Sequence, residues 1–321
     1  MSEKLLHVND LSVAYQTAKG DATAVKNVSF DLAPGEFLAI VGESGCGKST
    51  LLFAIAQLLS NPARISGGNI YYQNQDLNTL NKEQLRQLRW REISVVMQSA
   101  MNALNPVLTI EAQLSDVCKA HTDWDEGKIK QRSQEVMQMV SIDPIHLKSY
   151  AFQLSGGMRQ RAMIAMAMIL NPKLVIMDEP TSALDVVAQS SLMVQIQQLR
   201  KELGFSVLFV THDMHVVTKF SDRLAVMYAG EIVEIGKTQE IFANPKHPYT
   251  IGLLDAFPSL VGVKKELTGI PGNPPSLLNN ILGCSFAPRC KQVQGICKTQ
   301  TPPEVILDSI NVRCHLLSSR N

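Results

Sequence analysis

Gly42-Glu43-Ser44-Gly45-Cys46-Gly47-Lys48-Ser49 is a complete G-x-x-x-x-G-K-S loop, preceded by the apolar run Phe37–Val41 and followed by an apolar stretch that reads as a helix over 49–59. The run is continuously apolar and bounded by Gly35 and Gly42, as expected of a strand buried on both faces. A strand, a glycine-rich turn and a helix start together build an anion site. The glycines at 42, 45 and 47 let successive backbone N–H groups turn inward, and the helix presents its positive end to phosphate. Lys48 adds a point charge near the β- and γ-phosphates, the Ser49 hydroxyl is a natural Mg²⁺ ligand, and Thr50 with Ser44 completes the polar lining. Cys46 fills a variable position of the loop and fits there by its small size. The loop implies a nucleoside triphosphate and an α/β core, but it serves many chemistries.

Moving outward, Leu6, Val8, Leu11, Val13 and Tyr15 mostly alternate with polar residues, as do Val25, Val28 and Phe30, so both segments read as half-buried antiparallel strands. From about 99 to 153 the pattern turns helical and polar, and 125–140 is its clearest amphipathic stretch. Apolar strands return at 174–177 and 207–210. Strands alternating with helices give a parallel α/β core, here with an antiparallel layer in front and a helical insertion. After about Leu254 the composition shifts to Pro, Gly and Cys and helical periodicity disappears. The domain boundary is placed there, with residues 1–254 as one nucleotide-binding domain, a helical subdomain over about 99–158, and 255–321 as a small Cys-rich extension.

Four strand ends deliver polar groups to one expected rim: Gly42 onward, Gln98 after Ile93-Ser94-Val95-Val96-Met97, Asp178 and Glu179 after Leu174-Val175-Ile176-Met177, and His212 after Val210-Thr211. Ligands of open α/β sheets bind at such carboxyl edges. One acid can serve Mg²⁺, and the other can polarise water for attack on the γ-phosphate. Leu154-Ser155-Gly156-Gly157, ahead of a helix over 158–170, is a second anion-binding helix start. With two phosphate-gripping elements and a single phosphate loop, the economical arrangement is a head-to-tail pair of cassettes.

These motifs, in this order, resemble the ATP-binding subunits of ABC transporters, and the resemblance covers essentially the whole chain. It implies that Tyr15 stacks on adenine, that Gln98 touches Mg²⁺ and relays to membrane subunits, and that Asp178 holds the metal. Glu179 is then the catalytic base, Asp185 in Ser182-Ala183-Leu184-Asp185 crosses the dimer, and His212 contacts the γ-phosphate. Ser155, Gly156 and Gly157 serve the neighbour's ATP, and Met158 departs from a common Gln without touching that role. Asn244-Pro245-Lys246-His247-Pro248-Tyr249-Thr250, Pro271-Gly272-Asn273-Pro274-Pro275 and Gly283-Cys284-Ser285-Phe286-Ala287-Pro288-Arg289-Cys290 narrow the branch to bacterial dipeptide/oligopeptide/nickel importers. The partners so implied are a second, related ATPase, two transmembrane permeases and an extracytoplasmic substrate-binding protein. The implied place is the cytoplasmic face of the bacterial inner membrane.

Composition agrees with that placement. Lys plus Arg (30) nearly balances Asp plus Glu (29), which gives no field to gather nucleic acid. No apolar run reaches the ~18 residues of a membrane span, and no long apolar core follows Lys4 as in a signal peptide. Cys284, Cys290, Cys297 and Cys314 crowd a tail with little apolar content, so a metal is expected to stabilise it. Their spacing lacks a C-x-x-C knuckle, which weakens zinc, and the resemblance implies a [4Fe-4S] cluster. The tail is expected to stand apart from the core that carries the phosphate loop. Two alternatives stay open: the same motor serving nickel, metal chelates or oligosaccharides, and a soluble ABC ATPase acting on nucleic acid.

Overall fold

The alternation along the first strand breaks between Val8 and Leu11, and the break is a β-bulge. Strand β1 (Leu6–Thr17) pairs antiparallel with β2 (Gly20–Leu32), and the register shifts between Val8 and Leu11. Asp10 and Asn27 sit there at φ 47° and 45°, where a short polar side chain tolerates the left-handed region. The bulge keeps Leu6, Val8, Leu11 and Val13 all fully buried despite their irregular spacing. β4 (Ala63–Tyr72) and the short β5 (Gln75–Asp76) complete an antiparallel sheet of order β2-β1-β4-β5.

The computed structural model describes residues 4–18, 20–98, 103–182, 184–256, 269–277 and 281–318. Its contacts divide the chain into two units, one of Ala33–Phe37 and Thr79–Phe209, the other of Lys4–Leu32, Leu38–Asn78 and Val210–Asn321. Residues 99–102 of the expected helical subdomain, Ala183, and 257–268 of the expected extension lie outside the described residues.

In the first unit, β6 (Ile93–Val96), β7 (Leu174–Asp178) and β8 (Ser206–Val210) lie in the order β8-β7-β6, with β6 parallel to β7. Every residue of β7 and β8 is buried, as continuous apolar runs require. Helices of this unit start on side-chain caps. Asn81 caps α2 (Lys82–Leu88), Thr109 caps α3 (Ile110–His121), and Asp125 caps α4 (Glu126–Met139). The amphipathic reading of 125–140 therefore falls within a residue of the observed helix. Arg132 on α4, almost wholly buried, donates to the carbonyls of Met168 (3.0 Å) and Ile169 (2.9 Å) at the end of α5 (Gly156–Met168). A guanidinium satisfies carbonyls that a helix C-terminus leaves open. The helix α6 (Val186–Leu203) ends on Gly204 at φ 74°.

In the second unit, Leu38–Val41 of β3 (Phe37–Val41) run parallel to β9 (Arg223–Tyr228), and β10 (Glu231–Lys237) returns antiparallel to β9. The helix after the phosphate loop is α1 (Lys48–Ile55), shorter than the expected 49–59 because Gln57 turns left-handed at φ 55°. Short helices α7 (Met214–Phe220), α8 (Thr238–Ala243) and α9 (Pro248–Asp255) follow.

The tail is not the separate appendage expected from its composition. A hairpin of β11 (Glu304–Leu307) and β12 (Ile310–Arg313) extends the sheet, with β12 antiparallel to β10, giving the order β11-β12-β10-β9-β3. Phe286 and Ile310 are buried in one cluster with Val41, Tyr228, Val233 and Tyr249, and Cys284 and Cys290 pack against it. The helix α10 (His315–Ser318) closes the described chain. No helix among the described residues is long and apolar enough to cross a membrane.

Candidate functional site: a phosphate loop, a strand-end acid pair and a second helix start

Two of the loop glycines are dictated by close approach. A Cβ at Gly42 would stand 2.1 Å from the Met227 carbonyl oxygen, and one at Gly47 would stand 2.2 Å from that of Ala24. Gly47 also needs its φ of 104° to cap α1. Between them Ser44 and Gly45 are exposed, a short distance along the chain from the start of α1. Lys48 is buried, and its ammonium donates to the carbonyls of Gly42 (2.8 Å) and Glu43 (2.9 Å). That grip aims the charge along the loop. Burial pushes the Cys46 thiol up despite Lys48 beside it, so it stays a neutral packing residue as its variable position suggested. Tyr15 hydrogen-bonds Thr50 through their hydroxyls at 3.0 Å, which ties the strand aromatic to α1. Ser49 follows Lys48 in the first turn of the helix.

Register explains the acid pair. Val96 of β6 lies opposite Met177 of β7, so the second residue beyond each strand position, Gln98 and Glu179, emerges at one level. The Gln98 amide donates to Glu179 Oε2 at 2.9 Å. Asp178 is only 3% exposed, whereas Glu179 turns out at φ 43°. A non-glycine residue held there costs of order 1 kcal/mol or more. Asp185 caps α6 by accepting from the Ala188 N–H at 2.8 Å.

Ser155 caps α5 by accepting from the Met158 N–H at 3.3 Å. The helix begins at Gly156, two residues before the expected 158, so Gly156 and Gly157 form its first turn. A Cβ at Gly157 would meet nothing within 4 Å. An open cavity of about 350 Å³ adjoins, lined among others by Ser155, Gly157, Arg161 and His146. His212 is exposed and follows Thr211, whose N–H donates to the Ile40 carbonyl at 3.3 Å. Asp213 next to it caps α7.

The tail cysteines are free thiols, and among the described residues no group of three or more His, Cys, Asp or Glu side chains is placed to hold a metal ion. The expected metal centre, iron–sulfur or zinc, is therefore without support from the described residues. Burial raises Cys284 to about 11 and also raises Cys290 and Cys314. A metal is expected of a tail that must build its own core. It shares one instead: Phe286 meets Tyr228 edge-on at 5.2 Å, and the Cys284 N–H donates to the Cys297 carbonyl at 2.8 Å. The four thiols are electrostatic neighbours, with Cys284 near Cys297 and Cys314, and Cys290 near Cys297 and Cys314.

Apart from Glu234, the residues that the sequence analysis missed lie in motifs quoted there. The buried carboxylate of Glu234 accepts from the Lys246 and His247 N–H groups at 2.8 and 2.9 Å. His247 Nδ1 accepts from the Tyr249 N–H at 3.0 Å and so caps α9, with Pro248 in its first turn. Tyr249 Oη accepts from the N–H of Glu43 in the phosphate loop at 3.0 Å. Arg289 forms a fork on the Glu43 carboxylate, Nη1 to Oε2 at 2.6 Å and Nη2 to Oε1 at 2.9 Å. Pairs separated by 206 and 246 residues leave no local spacing signal.

A phosphate loop, a strand-end acid pair and a capped Ser-Gly-Gly helix start define an ATP-binding cassette. The ABC transporter family profile matches residues 25–182, and the profile for the C-terminal region of oligopeptide/dipeptide transporters matches 233–297. A dipeptide transport ATP-binding protein of Bacillus subtilis is 43% identical over 99% of this chain and 96% of its own. The corresponding protein of Caldanaerobacter subterraneus is 40% identical over 97% of each chain, and the oligopeptide transport ATP-binding protein of Salmonella typhimurium is 42% identical over 94% and 90%. Among solved structures, a dimeric ATP-binding cassette in a post-hydrolysis state bound to ADP and Pi is 31% identical, with a TM-score of 0.65 over 73% of this chain and 98% of its own. The chain belongs to the ATP-binding subunits of the dipeptide and oligopeptide ABC transporters.

Proposed function

We propose that this chain is the ATP-hydrolysing motor of an importer of dipeptides or oligopeptides, peripheral at the cytoplasmic face of a bacterial inner membrane. In this reading residues 1–254 bind nucleotide and 255–321 are the importer-type extension. Its partners are a second, related ATPase and two permeases, with a substrate-binding protein acting through them. The names of the relatives favour peptides over nickel, chelates or oligosaccharides.

The phosphate loop and Lys48 hold the phosphates, and Tyr15 stacks on adenine. Ser49, Gln98 and Asp178 are the oxygen donors that would hold Mg²⁺, which neutralises charge on the β- and γ-phosphates when bound. Glu179 takes a proton from water as its oxygen bonds to the γ-phosphorus and the bond to ADP breaks. His212 contacts the transferred phosphoryl group. Ser155, Gly156, Gly157 and Asp185 act on the neighbouring cassette's nucleotide. The observation that carries the base assignment is the 2.9 Å hydrogen bond from Gln98, which holds the Glu179 carboxylate at the end of β7. Glu179→Gln keeps shape and loses the base, so turnover falls by a factor of about 10² to 10⁴ while ATP binding persists. Near-normal hydrolysis by that variant defeats the assignment.

We also propose that Cys284, Cys290, Cys297 and Cys314 hold a [4Fe-4S] cluster with a structural role. Support comes from the resemblance and from the electrostatic interactions of Cys284, Cys290 and Cys314 with Cys297. A cluster seats each thiolate on a different iron, so its ligands stand farther apart than those of one ion, and a set unsuited to zinc can still suit it. Anaerobically purified protein that is colourless and iron-free defeats this part alone.

A further inference from the structure

Every polar handle of Glu43, the first variable residue of the phosphate loop, is held. Its N–H is bonded to Tyr249 Oη at 3.0 Å, its carbonyl accepts from Lys48 Nζ at 2.9 Å, and its carboxylate lies in the fork of Arg289. Arg289 is itself fixed from behind. Its Nε donates to the Pro271 carbonyl at 2.8 Å, and its terminal nitrogens reach the Ile270 carbonyl and Tyr228 Oη, both at 3.3 Å. The Arg289 side chain is 5% exposed and that of Glu43 is 26% exposed.

A carboxylate carried by a phosphate-binding loop is an electrostatic problem. The loop gathers backbone N–H groups and Lys48 to attract a polyanion, and an unpaired negative charge on the loop opposes that attraction. A bidentate guanidinium cancels the charge and fixes the side chain in one geometry. We propose that Arg289 is a positioning residue for ATP. By neutralising and locking Glu43, it makes the competence of the phosphate loop depend on the C-terminal segment between Cys284 and Cys290. The inference rests on the reading that the phosphate loop binds ATP. It changes the meaning of the tail, which is in direct contact with the nucleotide machinery.

The test uses the full chain for MgATP titration calorimetry and the assembled transporter for kinetics. Arg289→Ala leaves Glu43 charged and unpaired, and MgATP affinity falls by about tenfold. The KM for ATP rises in step while kcat stays within about twofold, and the deficit shrinks at high salt. Adding Glu43→Gln to Arg289→Ala removes the stranded charge and restores most of the affinity. A purely structural Arg289 predicts the opposite, since losing a second partner of the same contact repairs no packing. A double variant as weak as the single, or Arg289→Ala with normal MgATP affinity, overturns the proposal. If Arg289→Ala does not fold, Arg289→Lys keeps the charge but loses the fork. It should weaken MgATP by about threefold, and an unchanged affinity overturns the proposal equally. Lys48→Ala is the control: if it binds MgATP normally, the phosphate-loop reading itself fails, which is a different result from a silent Arg289.

Discussion

Acidification should loosen α9 through one imidazole. His247 is fully buried, and burial pushes it down from 6.5 to about 3. Its Nδ1 must be bare, because it accepts the Tyr249 N–H that starts the helix. A histidine whose folded value is depressed is bound by fewer protons in the folded state, so its contribution is fully present above 6.5 and is lost as pH falls toward 3. Between pH 7 and pH 5 the loss is about 2 kcal/mol, set almost wholly by the unfolded value because the folded one lies well below 5. Glu234, which holds the Lys246 and His247 N–H groups, is raised by burial and works in the opposite direction. Its protonation on acidification favours the folded form, so the total pH dependence mixes two signs. His247→Asn separates them, since Asn keeps a capping acceptor and does not titrate. The assay is hydrogen exchange of peptides spanning Pro248–Asp255, converted to opening free energies at both pH values. Wild type should lose about 2 kcal/mol more than His247→Asn. Parallel losses in the two proteins refute the reasoning.

Tyr249→Phe removes the acceptor for the Glu43 N–H, and a lost hydrogen bond of about 1 kcal/mol should weaken MgATP about fivefold with α9 intact by circular dichroism. Gly156→Asp places a carboxylate in the first turn of α5, and it should abolish hydrolysis in the paired complex while the chain's own ATP affinity stays within about twofold. Loss of ATP binding in that folded variant would mean that Ser155 and Gly156 act in cis. Iron analysis of anaerobically purified protein should find about four irons per chain. A Cys297→Ser variant should then both lose iron and weaken MgATP, since Arg289 sits between two of the cysteines.

Strands and the clearest amphipathic helix were legible because their causes are local. The buried run Phe37–Val41, the helix over 125–140 and the strand ends at Gln98 and Glu179 each follow from apolar periodicity or from a capping residue within four positions. The register of β6 against β7 then converts two separate strand ends into one hydrogen-bonded pair. Helix ends were less legible. Gln57 and Gly156 move two boundaries because left-handed turns and N-caps act on single residues, beneath the resolution of a periodic pattern. The β11–β12 hairpin was missed because Ile310 and Val312 find their core on β10, far along the chain.

The tail shows why composition misled. Counting apolar residues over 255–321 asks only whether that segment holds a core of its own. The sheet edge at β10 and the aromatic group of Tyr228, Tyr249 and Phe286 supply what it lacks. The same docking explains why His247-Pro248-Tyr249 accompanies the Arg289 segment. His247 and Pro248 start α9, α9 places Tyr249 against Tyr228 at 4.6 Å, and Tyr249 and Arg289 converge on Glu43 from the two C-terminal motifs. Two stretches that look like unrelated signatures are thus two sides of one clamp on the phosphate loop. A change that loosens either side should be read out at the nucleotide before it is read out anywhere else.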